Sequence, residues 1–131
     1  MGNGGVLESP HFAVPELRTP SKAGTDAPCQ LRCIEAESLV GFIAGHLTRR
    51  YACDGELEWI NVIPERRGSA VASELLHLQV AWFVEQRASR ICVDVDPNNT
   101  TARRFYKRHG AVDLNEHWLV WNDIKVALGQ R

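Results

Sequence analysis

Pro64 divides this chain into two regimes of hydrophobic periodicity, and few folds accommodate the change. Before it, apolar and polar residues alternate, as in CQLRCIEAE (29–37), LVGFIAGHLTRR (39–50) and ELEWINVIPE (56–65). That is the two-residue period of strands, with Gly41 and Gly45 leaving room for close backbone approach or a bulge. Glu37-Ser38 marks one turn, and Asp54-Gly55 predicts a hairpin because both residues tolerate positive φ. Beyond Pro64, Ala72, Leu75, Leu76, Val80, Phe83 and Val84 follow helical spacing with one buried face. SRICVDVDP (89–97) alternates again, Asn99 can cap a second helix over TTARRFYKRH (100–109), and Gly110 can end it. HWLVW (117–121) reads as a last strand. The order β-β-β-α-β-α-β describes an α/β (α+β) fold, with a mixed, mostly antiparallel central sheet flanked by helices.

A chain of 131 residues has room for one core of this kind. Residues 1–28 differ from the rest, carrying four prolines and four glycines, and read as an arm in which HFAVPEL (11–17) can pack as an edge piece. Residues 29–131 form the single expected domain. Fifteen basic against sixteen acidic residues argue against holding nucleic acid by bulk charge. No apolar run approaches the roughly 18 residues of a membrane span, and the first 20 residues lack a signal-peptide pattern, so a cytoplasmic location is expected. Cys29, Cys33, Cys53 and Cys92 show no metal-ligand spacing and read as small apolar side chains; no metal is expected.

Two segments carry chemistry. In Pro64-Glu65-Arg66-Arg67-Gly68-Ser69-Ala70-Val71-Ala72, small residues sit at a helix start, where amide donors and the helix dipole favour an anion. Arg66 and Arg67 add positive charge. The segment is neither a P-loop nor a dinucleotide Gly-x-Gly-x-x-Gly, and the bland alternative is a turn capped by Ser69. In Asn99-Thr100-Thr101-Ala102-Arg103-Arg104-Phe105-Tyr106-Lys107-Arg108-His109-Gly110, residues 102, 105 and 106 share a helix face. Here Asn99 is a cap and Tyr106 a core aromatic on the simpler reading. Glu56 and Glu58 alternate onto one face of the strand leading to Pro64.

Taken in order, the two segments resemble the signature motifs of the GNAT superfamily of acyl-CoA-dependent N-acetyltransferases. Arg67-Gly68-Ser69-Ala70-Val71-Ala72 is similar to the family's Gln/Arg-x-x-Gly-x-Gly/Ala loop, with Ala70 where Gly is usual. Asn99, Ala102, Phe105, Tyr106 and Gly110 match its Asn-x-x-Ala-x-x-Phe-Tyr-x-x-x-Gly pattern. The resemblance covers about residues 29–125. The family's usual first strand and two helices have no counterpart before Cys29.

The resemblance implies acetyl-CoA as co-substrate and direct transfer to a primary amine, on a small molecule or peptide, in a ternary complex. It places the pyrophosphate on the amides of Arg67, Gly68, Ser69, Ala70, Val71 and Ala72. It leaves backbone groups near Asn61, Val62 and Ile63 for the pantetheine arm, with Asn99 bonding that arm. Tyr106 is then the acid for the departing thiolate, and Glu58 or Glu56 the base or water holder. Arg103, Arg104 and Lys107 are candidates for the 3′-phosphate. Alternatives are a longer acyl group, a non-catalytic CoA-binding module, or a protein-interaction domain. An exposed sheet edge and the Trp-rich tail make a homodimer plausible.

Overall fold

The computed structural model describes residues 11–13, 29–35, 37–68 and 70–129; the remainder of the expected arm, and Ser69, lie outside the described residues. The elements are β1 (His11–Ala13), β2 (Cys29–Glu35), β3 (Ser38–Leu47), β4 (Gly55–Val62), α1 (Val71–Glu85), β5 (Ile91–Asp94), α2 (Thr100–Arg108), β6 (Val112–Asp113) and β7 (Trp118–Trp121). Among the described residues the strands form one sheet in the order β1-β2-β3-β4-β5-β7-β6. The expected succession from Cys29 onward is present. Two short strands extend it, β1 pairing with β2 and β6 with β7.

All pairs are antiparallel except β4 with β5. That pair is parallel because α1 carries the chain back along the sheet before β5 begins. Helix α1 buries Val71, Leu75, Leu76, Gln79, Val80 and Phe83, against Leu31, Ile43, Leu57, Ile91 and Val93 of the sheet. Its close approach depends on missing side chains: a Cβ at Gly55 would stand 2.6 Å from the Phe83 ring, and one at Gly45 3.0 Å from it. The helix ends in a Schellman motif, with Ala88 N–H donating to the Phe83 carbonyl and Arg87 N–H to that of Val84. Arg87 takes the left-handed position at φ 64°. Helix α2 ends the same way on Gly110 at φ 102°, where a Cβ would meet Val126 at 2.4 Å.

The sheet has two departures from a regular ladder. Between β3 and β4, Ala44 faces Trp59 while Gly45 faces Leu57, so Glu58 is the extra residue of a bulge. The expected hairpin of β3 and β4 forms, but its turn does not lie at Asp54-Gly55. Residues 48–54 form a longer loop around a 3-10 turn (Arg50–Ala52), with Tyr51 and Ala52 at positive φ. The Asp54 carboxylate instead accepts from the N–H groups of Ser89 and Arg90 at 2.8 and 2.9 Å, and Gly55 is needed beneath Phe83. The tail tryptophans are core: Trp121 is buried with its Nε1 donating to the His109 carbonyl at 3.0 Å, and Trp118 packs edge-on against Tyr51. They present no docking surface. All four cysteines are free and buried, and burial pushes the Cys29 thiol up to about 11.

Candidate active site

Parallel strands β4 and β5 pair only at Gly55↔Ile91, Glu56↔Cys92 and Leu57↔Val93. Past Leu57 the strands separate, and Val95 turns its N–H to the His117 carbonyl. Ile63 N–H donates to the Val40 carbonyl. Alternation along that antiparallel ladder turns the backbone of Asn61 toward β3 and those of Ile60 and Val62 toward the gap. The expectation of three free backbone positions therefore needs correction. Asn61 and Ile63 are engaged with β3, and Ile60 and Val62 face the opening. The Val62 carbonyl accepts from Arg67 Nε at 3.0 Å.

A cleft of about 680 Å³ opens at this gap, between the end of β4, the start of α1 and one face of α2. Its wall includes Asn61, Val62, Arg67, Gly68, Ala72, Asn99, Arg104 and Tyr106, eight positions expected from the sequence to hold the cofactor or do chemistry. Ile63, Ala70 and Val71 are not wall residues. Val71 is core beneath Gly41, and Ala70 is the N-cap of α1, with no side-chain atom able to cap it. Ser69 lies outside the described residues. Gly68 adopts φ 82°, with nothing within 4 Å of where a Cβ would be. The start of α1 thus meets the cleft beside Gly68, where helix amides and dipole attract an anion.

Four arginines, Arg66, Arg67, Arg104 and Arg108, line the same cleft. Arg103 and Lys107, expected beside Arg104, are held elsewhere: both reach Asp113 of β6, at 2.8 and 3.1 Å. The helical period explains the division. Thr101, Arg104, Phe105 and Arg108 fall at i, i+3, i+4 and i+7 on the cleft face, whereas 103 and 107 fall on another. Spacing alone could have separated these residues and added Arg108, which the motif comparison missed. Asn99 caps α2, its Oδ1 accepting from Ala102 N–H at 3.1 Å. Ser73 is a wall residue with no sequence signal except its place three positions after the N-cap.

Tyr106 is 4% exposed yet reaches the cleft wall, and burial raises its phenol well above the ordinary range. Glu56 and Glu58 project from the same face of β4 and meet His46 of β3. His46 Nδ1 stands 2.8 Å from Glu58 Oε2, and Nε2 3.6 Å from Glu56 Oε1. Glu56 also pairs with Arg50 at 3.2 Å. Neither carboxylate lines the cleft, but Glu58 directly follows the last residue of β4 paired with β5. Among the described residues no group of three or more His, Cys, Asp or Glu is placed to hold a metal ion.

The chain matches the model of the acetyltransferase (GNAT) family over residues 7–111. No curated protein matches the sequence at a significant level. Several solved structures share the fold. Nourseothricin acetyltransferase is 18% identical, with a TM-score of 0.64 over 88% of each chain. Ard1 from Thermoplasma volcanium is 23% identical, with a TM-score of 0.61 over 70% of this chain and 66% of its own. The PaiA N-acetyltransferase from Thermoplasma acidophilum, solved in complex with coenzyme A, is 18% identical, with a TM-score of 0.62 over 73% of this chain and 60% of its own. The present chain therefore spans about two thirds of the length of some of these relatives. A family match over most of the sequence, with the splayed β4–β5 pair and the loop-to-helix cleft, establishes that this chain belongs to the GNAT acetyltransferase family.

Proposed function

We propose that the protein is an N-acetyltransferase that uses acetyl-CoA to acylate a primary amine by direct transfer in a ternary complex. The observation that carries this reading is the gap between β4 and β5 beyond Leu57, walled by a bare helix start, four arginines and Tyr106. These groups suit a ligand with one anionic end and an amide-bearing arm. Arg66, Arg67, the Gly68 loop and the start of α1 would hold the pyrophosphate, and Arg104 or Arg108 the 3′-phosphate. The open backbone groups of Ile60 and the N–H of Val62 would pair with the pantetheine amides, with Asn99 near that arm. When bound, acetyl-CoA supplies an acetyl group activated as a thioester.

The chain's own groups then position the amine and move protons. Glu58, which stands beside His46, accepts a proton from the acceptor ammonium, directly or through water, leaving a neutral nitrogen to attack the carbonyl carbon. A β4 N–H polarises the carbonyl oxygen as negative charge develops there. As the new C–N bond forms and the C–S bond breaks, the Tyr106 hydroxyl gives its proton to the sulfur, and the second proton shed by the attacking nitrogen passes to water, from which the tyrosinate is reprotonated. Burial keeps Tyr106 protonated near neutral pH, and desolvation also raises the basicity of a thiolate formed beside it. The four buried thiols favour a reducing compartment, consistent with a cytoplasmic location. Calorimetric titration with acetyl-CoA and free CoA tests the reading first. Micromolar binding, followed by CoA thiol release with an amine acceptor, supports it. Absence of binding at millimolar ligand removes both the enzyme and a non-catalytic CoA-binding module, leaving a protein-interaction domain.

A further inference from the structure

The cofactor cleft has a contact that neither signature motif requires. Ser73, on the first turn of α1 and on the cleft wall, places its Oγ 3.1 Å from Nε2 of His109. His109 is the C-cap of α2, so the contact ties the anion-facing start of one helix to the end of the other. The imidazole is partly buried. Phe105 lies 4.8 Å away between ring centroids, and His77 of α1 meets it edge-on at 5.8 Å. Among the described residues, the charged or titratable groups acting on it are His77 from α1 and Arg108 from its own helix; Ser73 contributes only its hydroxyl.

Resting on the acetyl-CoA reading above, we infer that His109 is a cofactor-positioning residue that sets the direction of the Ser73 hydroxyl and takes up a proton when the anionic part of acetyl-CoA binds. A serine hydroxyl has one proton to donate. When Nε2 is unprotonated it accepts that proton, and Ser73 offers the cleft only lone pairs. When Nε2 carries hydrogen it donates to Ser73 Oγ, and the hydroxyl proton is released to point at a phosphate oxygen. Only the imidazolium makes the second arrangement obligatory, and it adds positive charge beside the anion. Burial, His77 and Arg108 all hold His109 below the ordinary imidazole range, so before ligand binds the ring is neutral near neutral pH. A bound phosphate favours the charged ring, and linkage then requires affinity to rise as pH falls.

The test is calorimetry of 3′-dephospho-acetyl-CoA, which lacks the ligand's own phosphate titrating near neutrality, in buffers of different ionisation enthalpy. The wild-type protein should take up a fraction of a proton on binding. Its affinity should tighten by up to about tenfold from pH 8 to pH 6, the change expected if binding raises the imidazole by about one unit. His109→Gln, which retains a donor but cannot titrate, and Ser73→Ala should both flatten the pH dependence, with proton uptake lost in His109→Gln. Equal pH slopes and equal proton uptake in wild type and His109→Gln would overturn the inference while leaving the cofactor assignment standing. No binding by the wild type at any pH, with acetyl-CoA itself as well, would overturn both.

Discussion

His46 Nδ1 lies 2.8 Å from Glu58 Oε2, across a ladder that Glu58 itself interrupts as the extra residue of a bulge. The bulge turns Glu58 and Trp59 to the same side, opposite Ala44, and Glu58 follows directly on Leu57, where the pairing of β4 with β5 ends. If Glu58 is the base, Glu58→Gln lowers kcat with a primary amine acceptor by about 10²-fold or more, while the Kd of acetyl-CoA changes little. Glu56→Gln has the smaller effect, because Glu56 is also engaged by Arg50. Steady-state rates beside calorimetric Kd values separate the two carboxylates. Equal rates for wild type and Glu58→Gln would remove Glu58 from the mechanism.

Tyr106→Phe keeps the ring and its edge-on contacts with Phe105 and Trp121, so the fold and cofactor affinity should be preserved. Turnover should fall by about 10²–10⁴-fold through loss of the acid alone. Stopped-assay measurement of thiol release against a matched acetyl-CoA titration checks this. An unchanged rate means the thiolate takes its proton from solvent.

Gly68 combines positive φ with open space around its missing Cβ. Gly68→Val therefore strains the backbone, by roughly 1–2 kcal/mol, without colliding with the core. It should weaken acetyl-CoA binding more than it lowers the thermal midpoint. A large loss of stability with normal affinity would show that the loop matters only to the fold.

Arg87 occupies the left-handed position that ends α1, where a residue with a Cβ is disfavoured. Arg87→Gly should stabilise the protein by about 0.5–1 kcal/mol, read as a higher midpoint in denaturant with an unchanged slope. The gain should be absent if the Arg87 side chain makes a compensating contact.

The Asp54 carboxylate is held below its usual range, first by the N–H groups of Arg90 and Ser89. A depressed folded value contributes stability above the unfolded one, and that contribution is lost as pH falls through the folded value. Between about pH 5 and pH 2 the wild-type midpoint should drop more steeply than that of Asp54→Asn. Parallel curves would mean that the loop opens before the carboxylate titrates.

Local pattern carried much of this architecture. The change of period at Pro64, the cap at Asn99 and the stop at Gly110 are written in neighbouring residues, because strand alternation, capping and the left-handed helix end each depend on only a few positions. The motif residues Arg67, Gly68, Asn99 and Tyr106 were legible for the same reason, each fixed by its offset within one loop or helix. The tertiary structure decided what depends on two distant segments meeting. Asp54-Gly55 reads locally as a tight turn, but Phe83 and the amides of Ser89 and Arg90, all remote in sequence, claim those two residues. Asn61 and Ile63 look equivalent to Val62 along the strand, yet pairing with β3 engages their backbones and leaves Val62 facing the gap. Arg103 and Lys107 are as basic as Arg104, and it is Asp113 on β6 that draws them off the cleft. Periodicity states which face a residue occupies, while only the packed chain states what that face meets.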